Sequence, residues 1–211
     1  MNTSGIIGVI ASYVIGSFPT AYLAGRFLKG VDLRTIGSGN LGATNVFRSL
    51  GTAPAVVVLI VDVLKGAIPA LLFPGLLAAG ITSEAAAERW GIAFGVAAIV
   101  GHWKPVFLLW RGGGKGVATA AGVFMALSPG PTSLCVLAFI VIVAATRFVS
   151  LASIVGAAVL PVLEWFSAGP SPLFYAATAV ALFVAWAHRA NIRRLQAGTE
   201  PRIRRPGGDR E

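Results

Sequence analysis

The sequence predicts an all-α integral membrane protein of about seven transmembrane helices, N-terminus outside and C-terminus cytoplasmic. Three observations carry this reading. The 211 residues are 56% hydrophobic and only 12% charged, where a soluble domain carries about 25% charge; mean hydropathy is +0.80. Several apolar runs approach the roughly 20 residues a helix needs to cross the hydrocarbon core. Gly and Ala recur within those runs, as close helix packing in lipid requires. No stretch leaves room for a separate soluble domain, so 1–211 reads as one polytopic domain with a short basic tail at about 189–211.

The N-terminal Met1-Asn-Thr-Ser precedes the first apolar stretch without a basic residue. It reads as the start of a membrane helix and not as a cleaved signal peptide. Apolar runs and breakers place helices near 5–25, 54–74, 91–110, 116–128, 132–146, 152–167 and 172–187. Ser128-Pro-Gly-Pro131 cannot be helical throughout and separates the fourth segment from the fifth, and Gly169-Pro-Ser-Pro172 separates the last two. Cys135 is the single cysteine, so no intrachain disulfide forms; it reads as a small residue facing lipid or core.

Seven spans put Arg26, Lys29, Arg34, Arg48, Arg111, Lys115, Arg147 and every basic residue from Arg189 onward on one side. The other side receives Arg89 with Glu84 and Glu88. The asymmetry makes the first side cytoplasmic. The net charge of +9 therefore reports topology and not nucleic-acid binding. Parity also brings four polar clusters to the cytoplasmic face: 37–48, 110–119, 147–153 and 188–194.

Trp110-Arg-Gly-Gly-Gly-Lys-Gly-Val-Ala-Thr119 is the most informative of the four. Glycines let backbone N–H groups crowd around one point, and such a nest beside an ammonium receives an anion, phosphate above all. The segment is not a nucleotide P-loop, since Gly116 follows Lys115 where Ser or Thr is required. A flexible connector needs fewer glycines than this. Arg111 reads as a headgroup anchor at the membrane edge.

Ile36-Gly-Ser-Gly-Asn-Leu-Gly-Ala-Thr-Asn45 offers glycine turns, amides and hydroxyls, with Arg48 one turn later if a helix follows. It suits an oxyanion with a guanidinium fork, or a plain turn whose helix is capped by Ser38 or Thr44. Ser150 and Ser153 follow Arg147, where each caps a helix or donates to a phosphate. His188 and Asn191 share a helical face, positioned for a phosphate, a polyol hydroxyl or headgroups, and Arg194 through Arg205 read as inner-leaflet contacts. Asp62 and Lys65, three apart in the second span, suit a structural ion pair. His102 reads as fixing a helix break before Pro105. No cluster of His, Cys and carboxylates suggests a metal. Neither histidine has an Asp five positions on, and no Gly-x-Ser-x-Gly elbow is present.

Gly37-Ser-Gly-Asn-Leu-Gly-Ala-Thr-Asn45, Gly101-His-Trp-Lys-Pro-Val-Phe-Leu108 with Gly113-Gly-Lys-Gly-Val-Ala-Thr119, Arg147-Phe-Val-Ser-Leu-Ala-Ser153 and His188-Arg-Ala-Asn-Ile-Arg-Arg-Leu195 resemble the motifs of the bacterial acyl-phosphate-dependent glycerol-3-phosphate acyltransferases, in family order across nearly the whole chain. Departures are an extra Gly112, Trp110 where Phe is usual, and the Arg-rich tail. The resemblance implies transfer of a fatty acyl group from acyl phosphate to the 1-hydroxyl of glycerol 3-phosphate, the first step of phospholipid synthesis. It implies seven helices in the bacterial inner membrane and an active site at the cytoplasmic face. By position, Ser38, Arg48 and Lys115 would act in catalysis and, with Ser153, His188 and Asn191, hold glycerol 3-phosphate or shape the pocket. Asn40, Thr44 and the loop glycines Gly113, Gly114 and Gly116 would hold the acyl-phosphate group. The partners are then the two substrates and membrane lipid, with no nucleic acid, metal or cofactor. The rival readings are a small anion or phosphate-ester transporter, whose charged groups would serve both sides of the membrane, and a non-catalytic membrane partner.

Overall fold

The computed structural model describes residues 3–77 and 83–203, the side chain of residue 77 excepted. The chain forms two compact units, Met1–Gly130 and Pro131–Glu211. Among the described residues every regular element is helical.

The first unit contains α1 (Thr3–Gly16), α2 (Thr20–Lys29), α3 (Ala43–Leu50), α4 (Thr52–Leu77), α5 (Glu84–Trp103), a 3₁₀ turn (Val106–Leu108) and α6 (Val117–Leu127). The expected single helix at 5–25 is broken between Gly16 and Thr20, where Pro19 lacks the N–H that would continue the ladder. Glycines bring the backbones together. Any side chain at Gly16 would enter the backbone of Ala98, and at Gly101 the carbonyl of Tyr13, so α1 and α5 touch main chain to main chain. Gly66 lies likewise on the Thr119 carbonyl and Gly122 on that of Val63, locking α6 to α4.

A small core of Ala21, Leu33, Leu41, Val46, Ala55 and Val58 joins α2, α3, α4 and the intervening loop. Leu33 and Leu41 are buried at either end of that loop and pin its polar middle at the surface. Upstream, Gly30 ends α2 in the left-handed region (φ 68°) and its N–H reaches the Arg26 carbonyl.

The second unit contains α7 (Pro129–Thr146, beginning two residues before the unit boundary), α8 (Val149–Ala168), α9 (Pro172–Ala187) and α10 (Arg189–Gln196). Ser128 alone separates α6 from α7, because Pro129 is tolerated in a first helical turn. Gly169 ends α8 and Ser171 caps α9, accepting the Phe174 N–H at 3.2 Å. Between α9 and α10 the axis bends by 60°. The tail at 189–211 is thus a helix with a returning strand of chain as far as Ile203, and Arg204 and Arg205 lie outside the described residues.

Of the seven expected apolar segments, 5–25 is divided into α1 and α2, 91–110 leaves the α-helix at Trp103, and the other five are helical to within a few residues. Five described spans meet the length and composition needed to cross a membrane, and α9 with α10 make a sixth as a bent pair. The remaining segment, α6, has 11 residues and is about 16 Å long, well short of a roughly 30 Å hydrocarbon core.

Candidate active site

In the first unit, loop 30–42 is organised by a residue the sequence reading did not single out. Asn45, 1% exposed at the start of α3, accepts the Ser38 N–H through Oδ1 at 3.0 Å and donates through Nδ2 to the carbonyls of Leu33 and Ile36, both at 3.1 Å. Gly37 (φ 61°) and Gly39 (φ 67°) supply the left-handed turns around it. The signal in the sequence is the amide itself: an Asn among apolar residues must be satisfied when buried. Ser38 is left exposed, Asn40 and Thr44 half-buried, and Arg48 exposed on α3 one turn past Asn45. Neither Ser38 nor Thr44 caps α3; Gly42 is the N-cap, without a side-chain bond.

The second loop enters through an unusual backbone. Leu109 and Trp110 both have positive φ (51° and 59°), a conformation uncommon without glycine. Tethers hold it: the Trp110 indole N–H donates to the Tyr13 hydroxyl at 2.7 Å, which donates to the Lys104 carbonyl at 2.7 Å. The four glycines that follow serve two needs. Gly112 and Gly116 take left-handed φ, both 79°. Gly113 and Gly114 are required for space, since a side chain would strike the Trp103 carbonyl and the His102 ring respectively. Gly116 is the N-cap of α6 and carries no side chain to fill that end. The loop is therefore presented at the positive end of a helix dipole, with half-buried Lys115 beside it.

The two loops meet. The Leu41 N–H donates to the Gly113 carbonyl at 3.3 Å, and the Gly114 N–H donates to the His102 carbonyl at 3.1 Å. Arg34 spans them. Its guanidinium binds Asp32 (Nη2–Oδ2 2.6 Å, Nε–Oδ1 3.0 Å) and the Arg111 carbonyl (Nη1, 3.2 Å). The hydrogen bonds from Arg34 hold the Asp32 carboxyl below its ordinary range, and the same bonds raise the guanidinium. Beneath the glycine loop a small cleft is lined by Thr20, Asp62, Lys65, His102, Gly113 and Gly114. Asp62 and Lys65 form the expected intramembrane ion pair at 2.7 Å, both nearly buried, and Lys65 also donates to the Phe18 carbonyl at 3.3 Å. His102 Nδ1 lies 3.9 Å from Asp62 Oδ1. His102 thus supports the glycine loop through its carbonyl and the close approach of its ring.

In the second unit, Ser150, His188 and Asn191 are buried and two of them share one acceptor. The Ser150 hydroxyl and the Asn191 amide both donate to Glu200 Oε1 at 2.7 Å, and Arg194 Nε donates to Oε2 at 2.7 Å. Burial alone would push the Glu200 carboxyl up, but the bonds from Asn191, Ser150 and Arg194 outweigh it and leave it below its ordinary value. The expected Ser150 and Ser153 caps are not made, since Phe148 is the N-cap of α8. Ser153 is buried and donates to the Val149 carbonyl at 2.9 Å. Arg147 turns the chain with φ 63° and its carbonyl accepts the Ile203 N–H at 2.9 Å. His188 stands at the bend between α9 and α10. Its Nδ1 lies 2.8 Å from the Val184 carbonyl, which can only accept, so that nitrogen carries the proton and Nε2 is left as the acceptor of the neutral ring. Arg194 is paired with Glu200 and Arg202 lies 4.9 Å over the Phe148 ring, so neither is simply a lipid contact as expected. Among the described residues no cluster of metal-ligating side chains occurs.

Residues 6–198 match the family described as glycerol-3-phosphate acyltransferase. The chain belongs to that family. Relatives named glycerol-3-phosphate acyltransferase include those of Synechococcus sp. (strain CC9902), 43% identical over 98% of this chain and 99% of that one; Synechococcus elongatus, 45% over 96% of each; and Gloeobacter violaceus, 44% over 98% of each. Among solved structures, the chain is similar to PlsY (YgiH), described as an integral membrane glycerol 3-phosphate acyltransferase. Against its glycerol 3-phosphate form the TM-score is 0.85 at 39% identity, covering 95% of this chain and 96% of that one. Against its lysophosphatidic acid form the TM-score is 0.81 at 38% identity, with the same coverage. Membership of the acyltransferase family and the apolar helices together make this chain a multi-pass integral membrane protein.

Proposed function

We propose that this protein is a glycerol-3-phosphate acyltransferase that takes its acyl group from acyl phosphate and gives it to the 1-hydroxyl of glycerol 3-phosphate. The observation that carries the donor assignment is the junction of the two loops at the α6 N-terminus. Backbone turns, Lys115 and a helix dipole converge there in a form suited to a phosphate dianion. The relatives named for glycerol 3-phosphate supply the acceptor.

In the reaction the hydroxyl oxygen attacks the acyl carbon, the ester C–O bond forms and the acyl C–O bond to phosphate breaks. Acyl phosphate is already activated, so no acyl-enzyme is needed. The hydroxyl proton passes to a phosphate oxygen, whose second pKa of about 6 suits it to receive one. Asn40, Thr44, Gly113, Gly114 and Gly116 are assigned to the acyl phosphate. Ser38, Arg48 and Lys115 stabilise charge growing on the acyl oxygen and the leaving phosphate. Ser150, Ser153, His188 and Asn191 are assigned to glycerol 3-phosphate. Both substrates enter from the cytoplasmic face of the inner membrane, the acyl chain lying among lipid-facing helices, and 1–211 acts as one polytopic domain.

The test is phosphate release from palmitoyl phosphate by purified protein in micelles. Release that depends on added glycerol 3-phosphate, and that drops at least about 100-fold in Lys115→Ala with folding intact, is the expected result. Wild-type turnover by that variant refutes the catalytic assignment. No release, with labelled phosphate crossing liposomes, establishes the transporter instead.

A further inference from the structure

We propose that Arg34 is a positioning residue, a guanidinium strut that fixes the glycine loop to the loop carrying Ser38 and Asn40. The proposal rests on the assignment of the glycine loop to the acyl donor.

Arg34 has the chemistry of a strut and not of a substrate ligand. Two of its nitrogens grip the carboxylate of Asp32, two positions earlier in the chain, and the third nitrogen reaches across to the Arg111 carbonyl. The Arg34 N–H also donates to Asp32 Oδ1 at 3.0 Å, so the carboxylate is fixed from both sides. The guanidinium lies 5.1 Å from the centre of the Tyr22 ring, which covers one of its faces. The cation is neutralised within its own loop and its donors point at protein. A planar fork can bind a carboxylate with one edge and a carbonyl with another corner, and an ammonium cannot do both at once.

The aliphatic stem is used as well. Gly112 lies directly on it: a Cβ there would stand 2.8 Å from Arg34 Cδ. The first glycine of the loop is therefore seated on Arg34, while one residue back the Arg111 carbonyl is held by its tip. One residue ahead of that seat, the Leu41 N–H donates to the Gly113 carbonyl across the two loops, at 3.3 Å and near the limit of a hydrogen bond. A bond that long does not hold two glycine-rich segments in register unaided. Arg34 adds a second, charge-assisted attachment to the same junction. The preceding residue, Leu33, is fully buried in the core of Ala21, Leu41, Val46, Ala55 and Val58 and fixes the backbone from which the strut projects.

The experiment is hydrogen exchange by mass spectrometry on the purified full-length protein in micelles, read at peptides covering 37–44 and 110–117. It is combined with separate titrations of palmitoyl phosphate and glycerol 3-phosphate. Arg34→Ala is expected to speed exchange of both peptides about 10-fold and to raise KM for palmitoyl phosphate about 10-fold, the effect of one lost charge-assisted bond, while KM for glycerol 3-phosphate moves far less. Asp32→Asn is expected to reproduce both changes in weaker form. Arg34→Lys is the deciding variant: it keeps the charge and is expected not to restore either readout. Restoration by lysine would overturn the strut and make Arg34 an ordinary cation, and unchanged exchange in Arg34→Ala would overturn it outright. Faster exchange with unchanged KM for palmitoyl phosphate would leave the strut standing and overturn the assignment of the glycine loop to the donor.

Discussion

Glu200→Ala should cost more than any other single change in the tail. Glu200 is buried and accepts from Ser150, Asn191 and Arg194, each at 2.7 Å. Arg194 has a side chain 39% exposed and returns to water when its partner is lost, so its share is small. Ser150 and Asn191 are 6% and 7% exposed and lose a charged acceptor together. Hydrogen bonds to a charged group are worth about 1.5–3 kcal/mol each, and the lower end applies because the vacated space admits water, giving about 3 kcal/mol in all. For a chain of this length that is a fall in Tm of about 6–12 °C. Glu200→Gln keeps the volume and one carbonyl oxygen for Ser150 and Asn191, turning its NH₂ toward Arg194, and should lose only about 1 kcal/mol. Thermal unfolding followed by tryptophan fluorescence in micelles measures both. With acyl transfer assayed well below Tm, the alanine variant should also show a raised KM for glycerol 3-phosphate. A Tm for Glu200→Ala within a degree of wild type, or a glutamine variant less stable than the alanine one, would refute the reasoning.

Gly114→Ala should abolish transfer while a change at the freer Gly130, around which nothing lies within 4 Å, should not; phosphate release compares them. Asp62→Leu leaves Lys65 buried without its carboxylate and should destabilise by about 3–5 kcal/mol, whereas Asp62→Leu with Lys65→Met should recover most of the loss in the same unfolding assay. Asp32 and Glu200 have folded-state pKa values lowered from 3.8 and 4.5. Their contributions are therefore complete above those ordinary values and vanish as pH falls through and below them, so Tm should fall on acidification below about pH 4.5. In Glu200→Gln that decline should be shallower. A reporter fused after Glu211 should signal from the cytoplasm, and a periplasmic signal would reverse the topology.

Hydropathy made the membrane helices readable because a bilayer punishes every unsatisfied backbone group, so spans must be continuous and apolar. It located α4, α6, α7, α8 and α9 within a few residues and set α5 seven residues too far along the chain. It missed the break at Ser17–Pro19, since apolar residues on both sides conceal a kink that only Pro19 marks. In the site, glycine spacing revealed two loops, yet the reasons for the glycines differ. Gly112 and Gly116 answer to φ, and Gly113 and Gly114 to the neighbouring backbone of Trp103 and the ring of His102. No local pattern distinguishes these. Glu200 was passed over entirely, because its value comes from Ser150, fifty positions away, and a lone acid in a basic tail looks solvated. Asp62 and Lys65 were legible as a pair from their spacing of three. Their nearness to His102 on another helix was not.

The short α6 has a consequence for how this protein meets different bilayers. With 11 residues it has too little apolar length to set its own depth by matching the lipid. Its depth is dictated by main-chain contact with α4 at Gly66 and Gly122, in the way a keystone takes its height from its neighbours. Thickening or thinning the membrane tilts the longer helices and carries α6 with them as a passenger. The loop at its head therefore keeps its geometry when chain length or temperature remodels the lipid. An enzyme whose product becomes its own solvent is in this way insulated from the bilayer it helps to build.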